Sequence, residues 1–465
     1  MRVLLISANR EQLPQPVVPL GLLWVAAALE GAHEVHLLDL CFEEDPLAVV
    51  DRTLREFSPE IIGIGIRNLH TNAYDGTERL LEEYKNLVAR VKAGSHAPVV
   101  LGGAGFSLRP TRLLEALGAD YGVVGEGEWA FRELVDRLSA GEKPPPLLYG
   151  GAARGSTPIT LRRGRALGEL DRLPMPARHL LDPRYGERDG TANVQTKRGC
   201  AFSCAYCDYP DLEGSKVRLR DPARVVDEVL GLTHDPAVSY LFFVDSVFNV
   251  PRSHALAICR GLHERGSTLP WVCYGSPVSF DEELVAAMAK AGCQGVEIGT
   301  DTGTEQSLER LRKPFGLKEV LRTRELFLAH GILDCHTFVL GALDETLDEV
   351  KETLDFVDRL SPDLAVFLVF MEDRETHDIR RARHRDAILE LLAREAPPRP
   401  GWVVPELDIR FGPKLLRAIR RSGTRGPSWL RLALMRRGPI GDRAGTELPP
   451  FLGRLQAGGG WARMP

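Results

Sequence analysis

Residues 191–209 read TANVQTKRGCAFSCAYCDY and contain Cys200, Cys204 and Cys207, three of the eight cysteines of the chain. The start of this stretch predicts a short buried strand, so the three cysteines lie in the loop that follows it. Three thiolates so close together can hold three irons of a 4Fe–4S cluster and leave the fourth iron without a local protein ligand. An open iron can bind a small molecule and pass an electron to it. The loop therefore predicts a redox cofactor site.

Two other interpretations of the cysteine loop stay open. A structural zinc site normally takes four nearby Cys or His ligands. No second CxxC pair and no HxxxH pair follows the loop, and His179 and His234 are distant in the sequence. A chance group of buried thiols is the other interpretation, and the polar stretch Lys197-Arg198-Gly199 before Cys200 argues against it. We favour the iron–sulfur interpretation.

The cysteine loop resembles the signature of radical S-adenosylmethionine (SAM) enzymes: three residues separate the first two cysteines, two separate the last two, and an aromatic residue precedes the third. The resemblance implies that Cys200, Cys204 and Cys207 bind a 4Fe–4S cluster whose free iron chelates the amino and carboxylate groups of SAM. It also implies reductive cleavage of SAM to a 5'-deoxyadenosyl radical. The aromatic residue, Tyr206, would help to place the adenine.

Length and composition are those of an ordinary globular protein. The chain has 465 residues, room for two or three domains, with 44% hydrophobic and 26% charged residues. A net charge of −5 argues against a general nucleic-acid binder. We find no apolar run of membrane-spanning length, no signal-peptide pattern and no disulfide framework. We therefore expect a cytoplasmic protein without a membrane span.

Short apolar runs alternate with amphipathic ones along residues 1–145, which predicts an α/β domain with a Rossmann-like parallel sheet. Residues 146–190 are rich in Gly, Pro and Arg and are interpreted as a linker. Six further strand–helix units in residues 191–370 predict an open, partial (β/α)6 barrel. In both folds the ligands bind at the carboxyl ends of the strands. Residues 371–465 are expected to be a small, mostly helical region of unknown role, whose frequent arginines are either solvated or contact an acidic partner.

The two halves together resemble radical SAM enzymes that carry an N-terminal cobalamin-binding domain, over about residues 1–370. In the first half the resemblance rests on the stretch PLGLL at residues 19–23 and on glycine-containing turns after the fourth and fifth strands. It implies that cobalamin lies against these turns and the loop after the third strand, through Arg67, Asn68, Gly102, Gly103, Gly125 and Glu126. Glycines at such places let the backbone approach a flat ligand or take a positive φ.

One departure from many cobalamin domains concerns the lower ligand of the cobalt. The motif Asp-x-His-x-x-Gly after the first strand is replaced by Ser7-Ala8-Asn9-Arg10-Glu11, which has no histidine. This implies cobalamin bound without a histidine ligand, with Arg67 discouraging a further ligand, or a domain that keeps the fold without cobalamin. His70 is a less favoured candidate ligand, because a loop histidine more often makes a local hydrogen bond.

In the second half the resemblance implies further contacts to SAM. Asp245, after the second barrel strand, would orient the amino group of SAM. Asp301 and Glu297, on the fourth strand, are the alternatives for the ribose, because a carboxylate can accept hydrogen bonds from both hydroxyls. Capping of a helix is the plainer interpretation of an acid there. Residues 340–346 read LGALDET, where relatives often have Pro-Gly in place of Leu343-Asp344.

The resemblance implies a cobalamin-dependent methyltransferase acting on an unactivated carbon, with a 4Fe–4S cluster, SAM and cobalamin as cofactors. It implies a small-molecule or peptide substrate and a reductant such as flavodoxin or ferredoxin. The alternative is a SAM-only radical enzyme (a dehydratase, epimerase or cyclase) with a vestigial first domain. Methylthiolation of transfer RNA and a non-enzymatic iron–sulfur or zinc protein are less favoured. The five single cysteines are expected in the core.

Overall fold

The computed structural model describes residues 1–12, 15–69, 76–150, 170–370, 379–397, 399, 401–408 and 426–437. The chain divides into two compact units. The first comprises residues 1–188, 195–202 and 207–228, and the second comprises residues 189–194, 203–206 and 229–465. None of the described helices is long and apolar enough to cross a membrane.

A six-stranded parallel sheet forms the framework of the first unit, in the order β2-β1-β3-β4-β5-β6. Its strands are Arg2–Ser7 (β1), Glu34–Asp39 (β2), Ile61–Gly65 (β3), Val99–Gly102 (β4), Tyr121–Gly125 (β5) and Leu147–Gly150 (β6). The parallel sheet expected from the sequence is confirmed. The sixth strand was not predicted, because its four residues lie in the segment interpreted as a linker.

The helices of this sheet are Leu20–Leu29 (α1), Pro46–Phe57 (α2), Gly76–Gly94 (α3), Ala104–Leu108 (α4), Pro110–Leu117 (α5) and Glu128–Ser139 (α6). They cover both faces of the sheet, and alternate residues of β1 therefore pack in two different hydrophobic cores. Leu4 and Ile6 lie in one core, and Val3 and Leu5 in the other. A strand buried on both faces has an unbroken apolar sequence. Asp45 begins α2 by accepting a hydrogen bond from the Ala48 backbone N–H at 3.1 Å.

The second unit contains a seven-stranded parallel sheet in the order β15-β14-β13-β12-β11-β10-β7. Its strands are Thr191–Val194 (β7), Tyr240–Phe243 (β10), Trp271–Gly275 (β11), Cys293–Asp301 (β12), Leu333–Leu340 (β13), Leu364–Val369 (β14) and Trp402–Val403 (β15). Two short strands, Lys197–Arg198 (β8) and Arg218–Leu219 (β9), form an antiparallel hairpin in the first unit. The six barrel strands expected from the sequence are present, and β15 adds a seventh.

The remaining described helices are Arg184–Arg188 (α7), Tyr209–Glu213 (α8), Pro222–Leu232 (α9), Arg252–Glu264 (α10), Glu282–Lys290 (α11), Glu305–Arg310 (α12), Leu317–His330 (α13), Leu347–Leu360 (α14), Ile379–Glu395 (α15), Pro405–Asp408 (α16) and Ser428–Arg437 (α17). A capping box formed by Thr346 and Glu349 begins α14. The helix α17 occupies the opposite face of the second sheet from α14. Phe338 and Phe367 pack with α14, whereas Leu333 packs with α17.

Candidate functional site

The carboxyl edge of the first sheet brings together the loops predicted to face cobalamin. The Ile66 N–H donates to the Gly102 carbonyl at 2.8 Å, so the loop after β3 lies beside the turn after β4. Gly103 has a φ of +96°, and a Cβ there would lie 2.5 Å from the carbonyl oxygen of Ile66. Chain packing therefore requires this glycine, whatever ligand approaches it.

Three polar side chains belong to the strand ends at this edge. Arg67 is exposed and donates to the Asn68 side-chain oxygen at 2.9 Å. The Asn68 carbonyl accepts from the Tyr84 hydroxyl at 2.7 Å. Asn9, after β1, is 6% exposed, and its amide Nδ2 has no hydrogen-bond partner among the described residues. A buried donor without a partner is uncommon and fits a ligand at this edge. His70 lies outside the described residues.

Glu126, predicted as a cobalamin contact, is engaged in ion pairs. Its carboxylate pairs with Arg218 of β9 and lies 3.5 Å from Arg198 of β8. Glu128, two residues further on, pairs with Arg198 as well. The preceding Gly125 has a φ of +77°, and its N–H donates to the Ser107 hydroxyl at 2.9 Å. The turn after β5 therefore anchors the β8–β9 hairpin, which the sequence did not predict.

This hairpin leads directly into the cysteine loop. The Arg198 guanidinium is buried and lies 5.9 Å from the centre of the Trp24 ring. Burial lowers the pKa of Arg198, but the charges of Glu128 and Glu126 outweigh burial and raise the pKa above its ordinary value. The Gly199 N–H donates to Glu213 at 3.0 Å, and the Cys200 N–H donates to the Gly214 carbonyl at 3.1 Å. The backbone before the first cysteine is thus fixed by hydrogen bonds.

Replacing Arg198 by methionine is expected to lower the free energy of unfolding by about 3–5 kcal/mol, because Glu126 and Glu128 keep their charges in a buried place without this partner. Arg137→Met is the matched control. Its pair with Glu133 is exposed, and its loss is expected to cost about 0–1 kcal/mol. Denaturant unfolding measures both, and equal losses in the two variants would show that the buried pairs are not structural.

The three loop cysteines differ from the other five in accessibility. All eight lie in the described part of the chain as thiols; Cys200 and Cys204 are partly exposed, Cys207 is exposed, and the others are buried. Burial raises the pKa of the buried thiols Cys259, Cys273 and Cys335, which disfavours the thiolate that binds iron. No group of three or more metal-ligating side chains is already gathered among the described residues. The chemistry of the loop, three accessible thiols, fits a 4Fe–4S cluster.

Next to the cysteine loop, Tyr206, Asp301 and Lys313 form a compact polar cluster. The Tyr206 hydroxyl donates to Asp301 Oδ2 at 2.5 Å, and Lys313 Nζ lies 2.6 Å from the same oxygen. The side chains of Asp301 and Lys313 are 2% and 7% exposed. Asp301 has a φ of +70° at an irregularity that ends β12. An unusual backbone conformation at a charged residue is typical of functional sites.

Lys313 was not predicted from the sequence. It follows Leu311-Arg312 and precedes a proline, a pattern typical of an exposed turn. In the structure the ammonium lies 5.8 Å from the centre of the Tyr206 ring. The Ala205 N–H donates to the Leu311 carbonyl at 3.0 Å, which holds the turn against the cysteine loop. Only the fold brings this lysine to the site.

The two acids proposed to bind the ribose of SAM, Asp301 and Glu297, lie in different places on the second sheet. Asp301 lies with Tyr206, whereas Glu297 precedes it by four residues on β12, about 13 Å along an extended strand. The register pairs Glu297 with Tyr274 and Cys335. Asp245, predicted to orient the SAM amino group, is completely buried and close enough to Cys273 to raise the pKa of that thiol. Of the predicted SAM-binding acids, Asp301 contacts the cysteine loop through Tyr206.

The segment that departs from the family pattern packs beside Asp301. Glu345 is 3% exposed; it accepts from the Gly341 N–H at 2.7 Å and from the Thr302 hydroxyl at 2.9 Å. Leu343 and Asp344 have φ values of +48° and +61°. The turn is therefore left-handed without the glycine that relatives often have there.

Glu297 carries an unusual protonation equilibrium. Burial raises its pKa from the ordinary 4.5 to about 8, against a smaller lowering by the nearby Trp429 indole. The folded state thus holds a proton that the unfolded state releases, so stability is lost as the pH rises toward 8. The variant Glu297→Gln has no titrating group at this position, so it does not lose stability in this way as the pH rises. The melting temperature of the variant relative to the native protein is expected to rise from pH 6 to 8 and then level off. A constant difference across this range would contradict the raised pKa.

Comparison with known proteins identifies both halves of the chain. Residues 6–135 match the family model of the B12 binding domain, and residues 194–357 match that of the radical SAM superfamily. An uncharacterised methyltransferase of Pyrococcus horikoshii is 28% identical over 385 residues, which cover 79% of this chain and 80% of that protein. The tryptophan 2-C-methyltransferase of Streptomyces laurentii is 28% identical over 416 residues, which cover 75% and 69%.

Solved structures give the same result. The radical SAM methyltransferase TsrM of Kitasatospora setae, solved with cobalamin and a [4Fe-4S] cluster bound, matches with a TM-score of 0.69 at 28% identity, covering 79% of this chain and 72% of that one. The cobalamin-dependent SAM radical enzyme OxsB matches in fold, with a TM-score of 0.63 at 19% identity, covering 83% of this chain and 55% of that one. With both family models matched in order along one chain, this protein belongs to the radical SAM enzymes that carry an N-terminal B12-binding domain.

Proposed function

We propose that this protein is a cobalamin-dependent methyltransferase that transfers a methyl group from SAM to an unactivated carbon of its substrate. The observation that carries the proposal is the presence, in one chain, of an accessible three-cysteine loop and a B12-binding sheet whose carboxyl edge presents a buried amide nitrogen without a partner among the described residues. The similarity to two methyltransferases across most of their length supports it.

On this proposal Cys200, Cys204 and Cys207 hold the 4Fe–4S cluster, which when bound supplies the electron that cleaves SAM. Lys313 and Asp301 hold the polar groups of SAM. The Lys313 ammonium suits the methionine carboxylate, and the Asp301 carboxylate suits the ribose hydroxyls or the amino group. The Tyr206 hydroxyl, 2.5 Å from Asp301, orients that carboxylate. The acid and the lysine also pair with each other at 2.6 Å.

Cobalamin, when bound, supplies the carrier for the methyl group, and the carboxyl edge of the first sheet would hold it. Asn9 and Asn68 offer amide groups, and Gly102 and Gly125 leave room for a flat ligand, whereas Gly103 is required by chain packing. Arg67, exposed beside them, would place a positive charge near the cofactor and discourage a further ligand to its metal. No histidine occurs in residues 7–11, so we propose that the lower face has no histidine ligand from this loop.

The cluster requires an electron donor, and we propose a flavodoxin or ferredoxin for this step. A reducing compartment suits such a cluster, which supports a cytoplasmic location. The substrate is a small molecule or a peptide; a net charge of −5 does not favour nucleic acid.

The test is a two-product assay on anaerobically reconstituted protein with SAM and a chemical reductant, with and without added hydroxocobalamin. A methyltransferase of this kind is expected to form S-adenosylhomocysteine only with cobalamin, and 5'-deoxyadenosine through the cluster. A SAM-only radical enzyme would form 5'-deoxyadenosine alone, regardless of cobalamin. That result would overturn the proposal.

A further inference from the structure

The C-terminal helix α17 closes one part of the inner face of the barrel sheet. Leu430 and Ala433 pack with Tyr240, Phe242 and Val272, which lie at the beginnings or in the middle of β10 and β11. Leu432 packs with Cys335 and Leu364 near the beginnings of β13 and β14. These strand residues face away from the outer helices. The helix α17 therefore covers the amino-terminal part of the inner face.

Nearer the carboxyl ends of the strands, the inner face is accessible. The side chain of Tyr274 is 38% exposed, although the other residues of β11 are buried. On β13 and β14 the accessible positions alternate with buried ones: Thr337 and Val339, and then Val366 and Leu368, are partly exposed. Since alternate residues of a strand face opposite sides, one side of the sheet is open here. The walls of this opening are mostly apolar.

Two polar groups, Glu297 and the Trp429 indole, lie where the covered part meets the open part. Glu297 is partly exposed on β12, and its pKa is raised to about 8, so the carboxyl is protonated at neutral pH. The Trp429 indole N–H is buried, has no hydrogen-bond partner among the described residues, and lies near enough to this carboxyl to lower its pKa slightly. The groups that flank Glu297 are Tyr274 on β11 and Cys335 on β13.

A neutral carboxylic acid and an indole N–H together offer two donors and one carbonyl acceptor. An amide or a ketone complements them without bringing a charge into an apolar cavity. A carboxylate or an ammonium group would have to be desolvated beside these two neutral groups. The chemistry of the two groups therefore selects an uncharged polar group at the end of an apolar body.

We propose that Glu297 and Trp429 form the floor of the substrate cavity and bind an amide or carbonyl group of the substrate. This inference rests on the proposed function, because it assigns the open inner face of the barrel to the substrate of that reaction. It also gives a role to part of the C-terminal region, to which the sequence assigned none. The residue Trp429, delivered by α17, sets the depth of the cavity.

Fluorine NMR of three fluorinated probes tests the floor directly. The probes are 4-fluorobenzamide, 4-fluorobenzoate and 4-fluorobenzylammonium, titrated onto the full chain at pH 6.5. We expect the amide to bind about 30-fold more tightly than either charged probe, since one hydrogen bond is worth about 1 kcal/mol and two are formed. Equal binding of the three probes, or no binding of the amide, would overturn the proposal.

Variants of Glu297 and Trp429 distinguish a loss of amide binding at the cavity floor from a general loss of folding. Glu297→Leu is expected to lose the preference for the amide, and Trp429→Phe to weaken amide binding several-fold. Glu297→Gln, which keeps a donor and an acceptor, is expected to retain the preference and serves as the folding control. A preference that survives in Glu297→Leu would contradict the assignment, and so would its loss in Glu297→Gln if that variant is folded.

The same protein preparation is carried through the two-product assay described above. Formation of both products without a preference for the amide probe would overturn the floor and leave the proposed function standing. A preference for the amide without cobalamin-dependent S-adenosylhomocysteine would overturn the methyltransferase instead. The two failures are therefore distinguishable.

Discussion

Cys204→Ala is expected to abolish both the visible absorbance of the iron–sulfur cluster and the formation of 5'-deoxyadenosine. Three thiolates are the whole protein contribution to such a cluster, and the loop offers no spare cysteine. The five other thiols are buried, so none can take the place of Cys204 without unfolding the core. Anaerobic reconstitution followed by absorbance and product analysis measures both losses.

Cys259→Ala is the matched control for the loss of one thiol. Cys259 lies on α10 and is completely buried, so its removal changes packing and leaves the loop intact. We expect full cluster content and unchanged cleavage of SAM in this variant. Retained cleavage in Cys204→Ala would refute the assignment of the cluster to this loop.

Lys313→Met is expected to weaken the binding of SAM by about 10–100-fold while the cluster still forms. A hydrogen bond to a charged group contributes about 1.5–3 kcal/mol, and each 1.4 kcal/mol is a factor of ten in affinity. Methionine keeps the length and apolar contacts of the lysine side chain and removes its charge. Equilibrium dialysis of labelled SAM against the reconstituted protein gives the affinity directly.

Two further variants separate binding from stability in this experiment. Lys313→Met leaves Asp301 as a buried charge, which by itself destabilises the fold. The double change with Asp301→Asn removes that charge, so it should recover stability but not the affinity for SAM. Lys313→Arg keeps the charge and is expected to bind SAM better than Lys313→Met. Unchanged affinity in Lys313→Met would show that the cluster of Tyr206, Asp301 and Lys313 does not bind SAM.

Helices and strands with strong local signals were predictable from the sequence. The bounds of α2 follow from Asp45 as the cap, Pro46 at the first position and the left-handed Ser58 at the end. The parallel sheets were predicted from unbroken apolar runs such as Val3 to Ile6. Such a run is typical of a strand that is buried on both faces, as strands of a parallel sheet are. The position of the cysteine loop after a barrel strand followed from the same alternation.

Features that depend on long-range contacts were missed. The β8–β9 hairpin has two residues in each strand, and its stability comes from the ion pairs of Arg198 and Arg218 with Glu126 and Glu128, about 70 to 90 residues away in sequence. The sequence around Lys313 is typical of an exposed turn, and only the fold brings the lysine beside Asp301. Sequence spacing carries no sign of either contact.

The arginines after residue 371 were interpreted as a solvated or partner-binding face, and one of them is neither. Arg385 is 8% exposed; it pairs with Glu406 at 2.7 Å and donates to the Val369 carbonyl at 3.1 Å. It therefore joins α15 to α16 and to the end of β14. Arg417, Arg420 and Arg421 lie outside the described residues. An amphipathic pattern cannot distinguish a buried, paired arginine from an exposed one.

The corrinoid content of the protein, purified anaerobically from cells supplied with cobalamin, tests the central claim most directly. The carboxyl edge of the first sheet, with its unpartnered Asn9 amide, predicts about one corrinoid per chain. Asn9→Ala offers a folded comparison that should bind less. An absence of corrinoid from protein whose cluster is intact and still cleaves SAM would contradict the claim and leave the first unit as a fold without its cofactor.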